Sequence, residues 1–230
     1  MILVGRGALL SRAASYAKRS SLVVDFACCP PGDSSSLVIK KIGIPLLETN
    51  DPNAALPPLL KECSDGVAFS TNNQFILQDE VLCGGVSFFN IHAGLVQQYR
   101  GVSEICIFAA LCRGVGRYGV TLHRLLPSQQ VDSGPVVSQL QFEVIDSDGF
   151  SSVLTKSLYA CQRIFESNVS QILSKRSIEA SVEVGKESYS YKHVVKLCRE
   201  ADSARLSRAS DFGAYAASFP KLKGIVDSMR

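Results

Sequence analysis

Short apolar runs alternate with stretches of helical composition through the first half of the chain. Ile2-Leu3-Val4 reads as a strand, Gly5-Arg6-Gly7 as a turn, and Ala8 to Arg19 as a helix. Leu22 to Cys28 carries β-branched and aromatic residues and stops at Pro30-Pro31-Gly32, which predicts a strand and a turn. Ser36 to Lys41 predicts a helix, and Gly43 to Leu47 a short strand. Asp51 to Glu62 predicts a helix with Pro52 near its start. Gly66 to Ser70 and Gly85 to Ile91 predict strands, with a helical turn at Asp79 to Leu82 between them. This rhythm predicts an α/β fold: a Rossmann-like, mostly parallel sheet with helices on both faces, joined by right-handed crossovers.

The pattern then changes. Ser103 to Cys112 is apolar enough for a buried helix, and Gly119 to Leu126 for a strand. A polar turn, Pro127 to Gln130, follows, and Gly134-Pro135 breaks the chain. Val136 to Ile145 alternates apolar and polar residues, as a half-exposed strand does. Ser151 to Leu173 predicts a long amphipathic helix with Leu154, Leu158, Cys161, Ile164 and Phe165 on one face. After Ser174 the chain is more polar. A soft boundary near residue 178 divides a core of residues 1–178 from a C-terminal extension of residues 179–230. In the extension, Lys186 to Tyr191 reads as a hairpin or edge strand, and His193 to Glu200 and Asp211 to Phe219 as helical pieces before Pro220.

Composition narrows the classes. Of 230 residues, 46% are hydrophobic and 20% charged, which fits a globular chain with a real core. A net charge of +3, with no clustered basic stripe, argues against nucleic acid as a partner. No apolar stretch reaches the roughly 18 residues of a membrane span. Arg6 interrupts the apolar start too early for a signal peptide. The eight cysteines show no C-x-x-C and no zinc-ligand spacing, so they read as reduced core residues, and no metal is expected. The expected compartment is the cytoplasm.

One polar set stands out at the end of a predicted strand: Asn90-Ile91-His92, followed by Tyr99-Arg100-Gly101. Open α/β sheets bind ligands beyond the carboxyl ends of their strands. Residues two apart on a strand point the same way, so Asn90 and His92 can converge on one atom. Asp132 opens the turn Asp132-Ser133-Gly134-Pro135 after a second strand. An amide, an imidazole and a carboxylate suit acyl transfer to an amine. Two groups donate to an oxyanion, and the third orients the ring or takes the amine's proton. Each also has an ordinary explanation, as turn residue, packed histidine or common Asp-Ser-Gly turn. His123 reads as a structural residue or part of a site rim.

The segment NIHAGLVQQYRG resembles the N-I-H-x-S-L-L-P-x-Y-R-G segment of the folate-dependent formyltransferases. GVTLHRLLPSQQVDSGPVV resembles their G-V-T-x-H…D-T-G-P-I-L segment, and the separation of the two blocks also fits. ILVGRGALL, GIPLLETND and GVAFSTNNQFIL extend the resemblance over roughly residues 1 to 175. It implies an N-formyltransferase that takes its formyl group from N10-formyltetrahydrofolate as co-substrate. Asn90, His92 and Asp132 match the family's catalytic residues. The implied folate pocket uses Thr71, Asn73, Phe75, Ile76, Phe88, Gln130 and Val131. Backbone groups there read the pterin edge, and apolar side chains cover its face. The family's S-L-L-P is Gly94-Leu95-Val96-Gln97 here, so the proline is missing and the loop is expected to move more.

Members of this family act on initiator methionyl-tRNA, glycinamide ribonucleotide, nucleotide-linked amino sugars, or aminoacyl groups on carrier domains. The short C-terminal extension argues against the tRNA branch. GRGALLSR in place of a serine- and glycine-rich phosphate loop argues against the ribonucleotide branch. A sugar-nucleotide amine or a carrier-bound aminoacyl group remains as acceptor, with homodimerisation through the tail an option. Two rivals stay open on the sequence: a hydrolase releasing formate from formyl-folate, and a non-catalytic folate-binding module.

Overall fold

A computed structural model describes residues 1–176 and 179–229. In chain order its elements are β1 (Ile2–Gly5), α1 (Gly7–Arg19), β2 (Phe26–Cys29), α2 (Ser34–Lys41), β3 (Leu46–Glu48), α3 (Pro52–Ala55), β4 (Val67–Thr71), α4 (Asp79–Leu82) and β5 (Ser87–His92). They continue with β6 (Arg100–Gly101), α5 (Ser103–Cys112), β7 (Arg117–Arg124), β8 (Val136–Glu143), α6 (Phe150–Leu173), β9 (Ser188–Tyr189), α7 (Val194–Glu200), α8 (Ser203–Ala209) and α9 (Pro220–Asp227). Seven strands form one sheet in the order β3-β2-β1-β4-β5-β7-β8. The first five pair in parallel throughout. This is the mostly parallel, Rossmann-like α/β architecture that the alternation of apolar runs predicts.

The chain divides into two compact units. The first comprises residues 1–91, 122–138 and 161–181. Strands β1, β2 and β4 are buried along their whole length, as strands covered on both faces must be. Their apolar core joins Ile2, Val4, Phe26, Cys28, Leu56, Ala68, Val81 and Phe88. Phe69 packs edge-on against Phe165 at 5.1 Å between ring centroids. The second unit comprises residues 92–121, 139–160 and 182–230. Its core is built on α5, where Ile105 to Cys112 are all buried, with Tyr118, Phe150, Leu197 and Leu222 around it. The boundary expected near residue 178 falls on residues outside those described.

Three local differences from the expected elements have physical causes. Asp51 to Glu62 is not one helix. α3 ends at Ala55, and Pro57 and Pro58 open a separate 3-10 turn, because proline has no N–H to continue the ladder. Of the two expectations for Lys186 to Tyr191, the strand is found and the hairpin is not, since β9 pairs in parallel with β6. Pro220 does not end the helical region; it starts α9, where its missing N–H would have no partner anyway.

Candidate active site

The parallel register sets the stage in the first unit. Gly5 is level with Thr71, and Thr71 with Ile91, so β1 and β4 end together and β5 runs one residue further. Asn90 lies one residue before that edge, opposite Ser70. Its amide meets two partners from the next stretch of the same unit. Asn90 Nδ2 is 3.2 Å from His123 Nε2 and donates to Asp132 Oδ1 at 3.4 Å. His123 Nε2 is itself 3.4 Å from Asp132 Oδ1. His123 is fully buried and Asp132 is 6% exposed.

The turn that delivers Asp132 is tightly built. Arg124 N donates to Pro135 O at 2.8 Å, and Ser133 Oγ donates to Gln130 O at 2.7 Å. A Cβ on Gly134 would stand 1.8 Å from Arg124 O, so only glycine lets the chain pass. Upstream, Ser128 N and Oγ donate to the Asp79 carboxylate at 2.9 and 2.8 Å. These bonds hold the Asp79 carboxyl below its ordinary range. Ser128 (φ 58°) and Asp132 (φ 54°) adopt left-handed backbone, as does Asn72 (φ 52°) in the loop after β4. Such strain gathers at functional sites.

Five of the residues implied for folate binding fall on these two loops, Thr71 ends the strand before one of them, and Phe88 lies away from both. Asn73 Oδ1 accepts from Phe75 N at 3.1 Å, closing a turn, while its buried Nδ2 has no partner among the described residues. Phe75 is half-buried. Ile76 and Val131 expose 70% and 42% of their surface. Gln130 is exposed. Thr71 is buried at the strand end. The Phe88 ring lies in the apolar core of the first unit.

His92 belongs to the second unit. Its Nε2 is 2.8 Å from Tyr99 O. A carbonyl only accepts, so Nε2 carries the hydrogen, and the neutral ring has its acceptor lone pair at Nδ1. A Cβ on Gly94 would stand 2.5 Å from His92 Nε2 and 2.4 Å from Tyr99 O, so glycine is required where the loop folds over this bond.

Two other places in the first unit bear on ligands. The N-terminus of α1, a natural anion seat, already holds a carboxylate. Gly7 N donates to Asp33 Oδ1 at 2.8 Å. The same oxygen accepts from Ser35 N at 2.8 Å and Ser35 Oγ at 2.5 Å, capping α2. Burial alone would raise the Asp33 carboxyl, but the hydrogen bonds from Ser35 and Gly7 outweigh it and hold it below the ordinary range. Asp25, Cys63 and Asp65 lie close enough to ligate a cation. The Met1 ammonium occupies that position, 2.8 Å from Asp25 and 3.0 Å from Asp65. The cysteines are free thiols and mostly buried. Burial pushes Cys28, Cys112 and Cys161 up to about 12, which suits packing rather than nucleophilic work.

Sequence reasoning read His123 as a structural residue or part of a site rim, without a role in the chemistry, and did not single out Asp33. His123 stands in the G-V-T-x-H block, but only the folded strands bring it to Asn90. Asp33 carried the local signal of a helix cap, an Asp ahead of Ser34-Ser35-Ser36, yet nothing local shows its bond to Gly7.

No family model matches the chain. Over 138 residues, 60% of this chain, it is 28% identical to the bifunctional polymyxin resistance protein ArnA of Wigglesworthia glossinidia brevipalpis, and it spans 20% of that protein's length. A sugar N-formyltransferase from a Shewanella species superposes with a TM-score of 0.72, covering 91% of this chain and 87% of the other at 15% identity. An N-formyltransferase from Helicobacter canadensis, in complex with folinic acid and dTDP-3-aminofucose, superposes with a TM-score of 0.66, covering 83% and 70% at 15% identity. In fold, the chain is an N-formyltransferase-like α/β protein.

Proposed function

We propose that the protein transfers a formyl group from N10-formyltetrahydrofolate to a primary amine, with a nucleotide-linked amino sugar as the acceptor. The observation that carries this reading is the meeting of Asn90, Asp132 and His123 within 3.4 Å at the carboxyl edge of a parallel sheet. The amine lone pair attacks the formyl carbon, and its carbonyl oxygen becomes an oxyanion. The reading gives that oxygen to the Asn90 amide and to His92, whose Nδ1 donates when the ring is protonated. Asp132 takes the amine's proton, directly or through a water. The bond from carbon to N10 then breaks, and N10 recovers a proton. No covalent intermediate on the protein is needed.

Several features support the co-substrate and the acceptor. Exposed Ile76 and Val131 offer apolar walls, and the unpartnered Asn73 amide offers a donor, to a flat heterocycle. The Helicobacter enzyme of like fold was crystallised with folinic acid and an amino-sugar nucleotide. The Asp33 carboxylate already takes the Gly7 N–H at the α1 N-terminus, a donor that a substrate phosphate there would otherwise use. That argues against a ribonucleotide acceptor. The free thiols suit a reducing cytoplasm. Among the described residues no helix is long and apolar enough to cross a membrane.

The test is formyl transfer from N10-formyltetrahydrofolate to a panel of dTDP- and UDP-amino sugars, glycinamide ribonucleotide and a carrier-bound aminoacyl group, with an amine-free control. Transfer to an amino-sugar nucleotide is the expected result. Formate release without amine, or transfer only to another acceptor, would replace the reading.

A further inference from the structure

Within the second unit, the loop after His92 is held by a directional chain of side-chain hydrogen bonds. Gly94 O accepts from Thr121 Oγ1 at 2.7 Å. A hydroxyl has one hydrogen, so Thr121 Oγ1 must accept from Gln139 Nε2, 2.9 Å away. The second hydrogen of Gln139 Nε2 goes to Gln97 Oε1 at 2.7 Å, and Gln97 Nε2 returns a bond to Gln139 Oε1 at 3.0 Å. The orientation of both amides thus follows from one backbone carbonyl. Every link has a matched donor and acceptor, the condition under which a buried polar network rigidifies its surroundings. Thr121 is fully buried, and both glutamines are half-buried. A backbone bond adds to the chain, with Gly185 N donating to Val96 O at 2.9 Å.

The network ends at Gly94, which lies against the His92 ring. Gly94, whose carbonyl anchors it, is the residue over which the bond from His92 Nε2 to Tyr99 O closes. Gln97 stands where the resembling family has proline, a residue that stiffens a loop by fixing φ near −65°. Gln97 is absent from the positive-φ residues, and its own N–H has no acceptor among the described residues. These are two of the conditions that a proline at this position must meet. The loop that sequence alone predicts to move is tied down by its side chains instead.

We propose that Gln97, Gln139 and Thr121 form a clasp that takes over the role of the missing proline, holding loop 93–99 so that His92 keeps its hydrogen on Nε2 and its ring in one orientation. This rests on the reading that His92 acts in formyl transfer. Gln97 and Gln139 are positioning residues for that histidine.

The experiment compares Gln139→Leu, Gln97→Ala, Gln97→Pro and the Gln97→Pro/Gln139→Leu double variant in the full chain. Three readouts are needed: kcat and KM for formyl transfer, amide exchange in residues 93–99, and the ring-nitrogen NMR shifts of His92. Gln139→Leu is expected to speed exchange, mix the His92 tautomers and lower kcat by up to about 10²-fold, the cost of roughly 1 Å of misplacement, with the folate KM little changed. Gln97→Ala keeps the bond from Gln139 to Thr121. It should move all readouts the same way by less, and it guards against a Gln139→Leu chain that does not fold. Adding Gln97→Pro to Gln139→Leu should restore kcat and the single tautomer. Unchanged exchange and tautomer in both Gln139→Leu and Gln97→Ala, or no rescue by proline, overturns the clasp. If exchange and tautomer change while His92→Ala transfers formyl at the wild-type rate, the clasp stands and the catalytic reading of His92 falls.

Discussion

His123 Nε2 and Asp132 Oδ1 lie 3.4 Å apart, and Asn90 Nδ2 faces both. No protonation state of His123 satisfies these contacts and its other ring nitrogen together. If His123 Nε2 accepts from Asn90, its ring carries the hydrogen on Nδ1, a buried atom with no partner among the described residues. If Nε2 donates to Asp132, the Asn90 amide loses an acceptor. The proton on His123 is thereby coupled to where the Asn90 amide points. His123→Gln, which keeps a polar group but not the ring, should lower kcat by up to about 10²-fold through misplacement of Asn90 and Asp132. Steady-state kinetics, with folding checked by circular dichroism, decides it. Wild-type turnover would reduce His123 to a packing residue.

The Asp33 carboxylate gives a pH prediction. Its folded pKa is depressed, so its contribution to stability is present above the unfolded carboxylate value, about 3.9, and is lost as pH falls through the folded value. Asp33→Ala removes the cap of α2 and the acceptor of Gly7 N together. A capping loss is typically about 1 kcal/mol. Urea unfolding at pH 7 should show this deficit. At about pH 3 the gap between wild type and variant should narrow. A gap that widens in acid would contradict the assignment.

The sequence pattern was most legible where burial is complete. Ser103 to Cys112 was expected as a buried helix and occupies those residues in the fold, because the apolar run Ile105 to Cys112 has no exposed alternative. The strand expected from Leu22 begins only at Phe26. There Ile2 pairs with it, and Asp25 just before it is held by Met1. Pairing partners of short strands were not legible. Nothing in Ser188-Tyr189 names Arg100-Gly101 as its neighbour. The site divides in the same way. Asn90 and Asp132 could be singled out from strand ends and turn chemistry. His123 could be assigned only once two strands were laid side by side, and Asp33 only once two helix starts shared one oxygen.

Gly134 makes the delivery of Asp132 testable through backbone alone. Its Cβ position is 1.8 Å from Arg124 O, a backbone atom that cannot swing away. Gly134→Ala must therefore shift the Asp132 turn or the end of β7. Overpacking typically costs about 1–3 kcal/mol, so the denaturation midpoint should fall. Turnover of the folded fraction should fall as well, since Asp132 is two residues away. Gly224→Ala, in helix α9 where a Cβ meets nothing within 4 Å, is the control; it should leave turnover unchanged and raise the midpoint slightly, since alanine favours a helix over glycine by roughly 0.5–1 kcal/mol. Equal behaviour of the two variants would show that the turn does not constrain the site.

The role of Asp132 separates charge from structure. Asp132 holds φ at 54°, a conformation that asparagine also tolerates. Asp132→Asn therefore keeps the backbone strain and the side-chain shape while removing the proton acceptor. Stability should stay close to wild type. Turnover should fall by about 10²–10⁴-fold, the usual worth of general acid–base catalysis. Asp132→Gly relaxes the strained φ and removes the carboxylate, so it should be at least as inactive without a comparable loss of stability. If Asn90→Ala is then combined with Asp132→Asn, the losses should not multiply, because groups acting on one tetrahedral intermediate cannot each be lost in full. The decisive comparison is kcat against denaturation midpoint across the four variants. Activity that tracks stability would make Asp132 a turn residue. Activity lost at constant stability in Asp132→Asn supports the carboxylate as the group that takes the amine's proton.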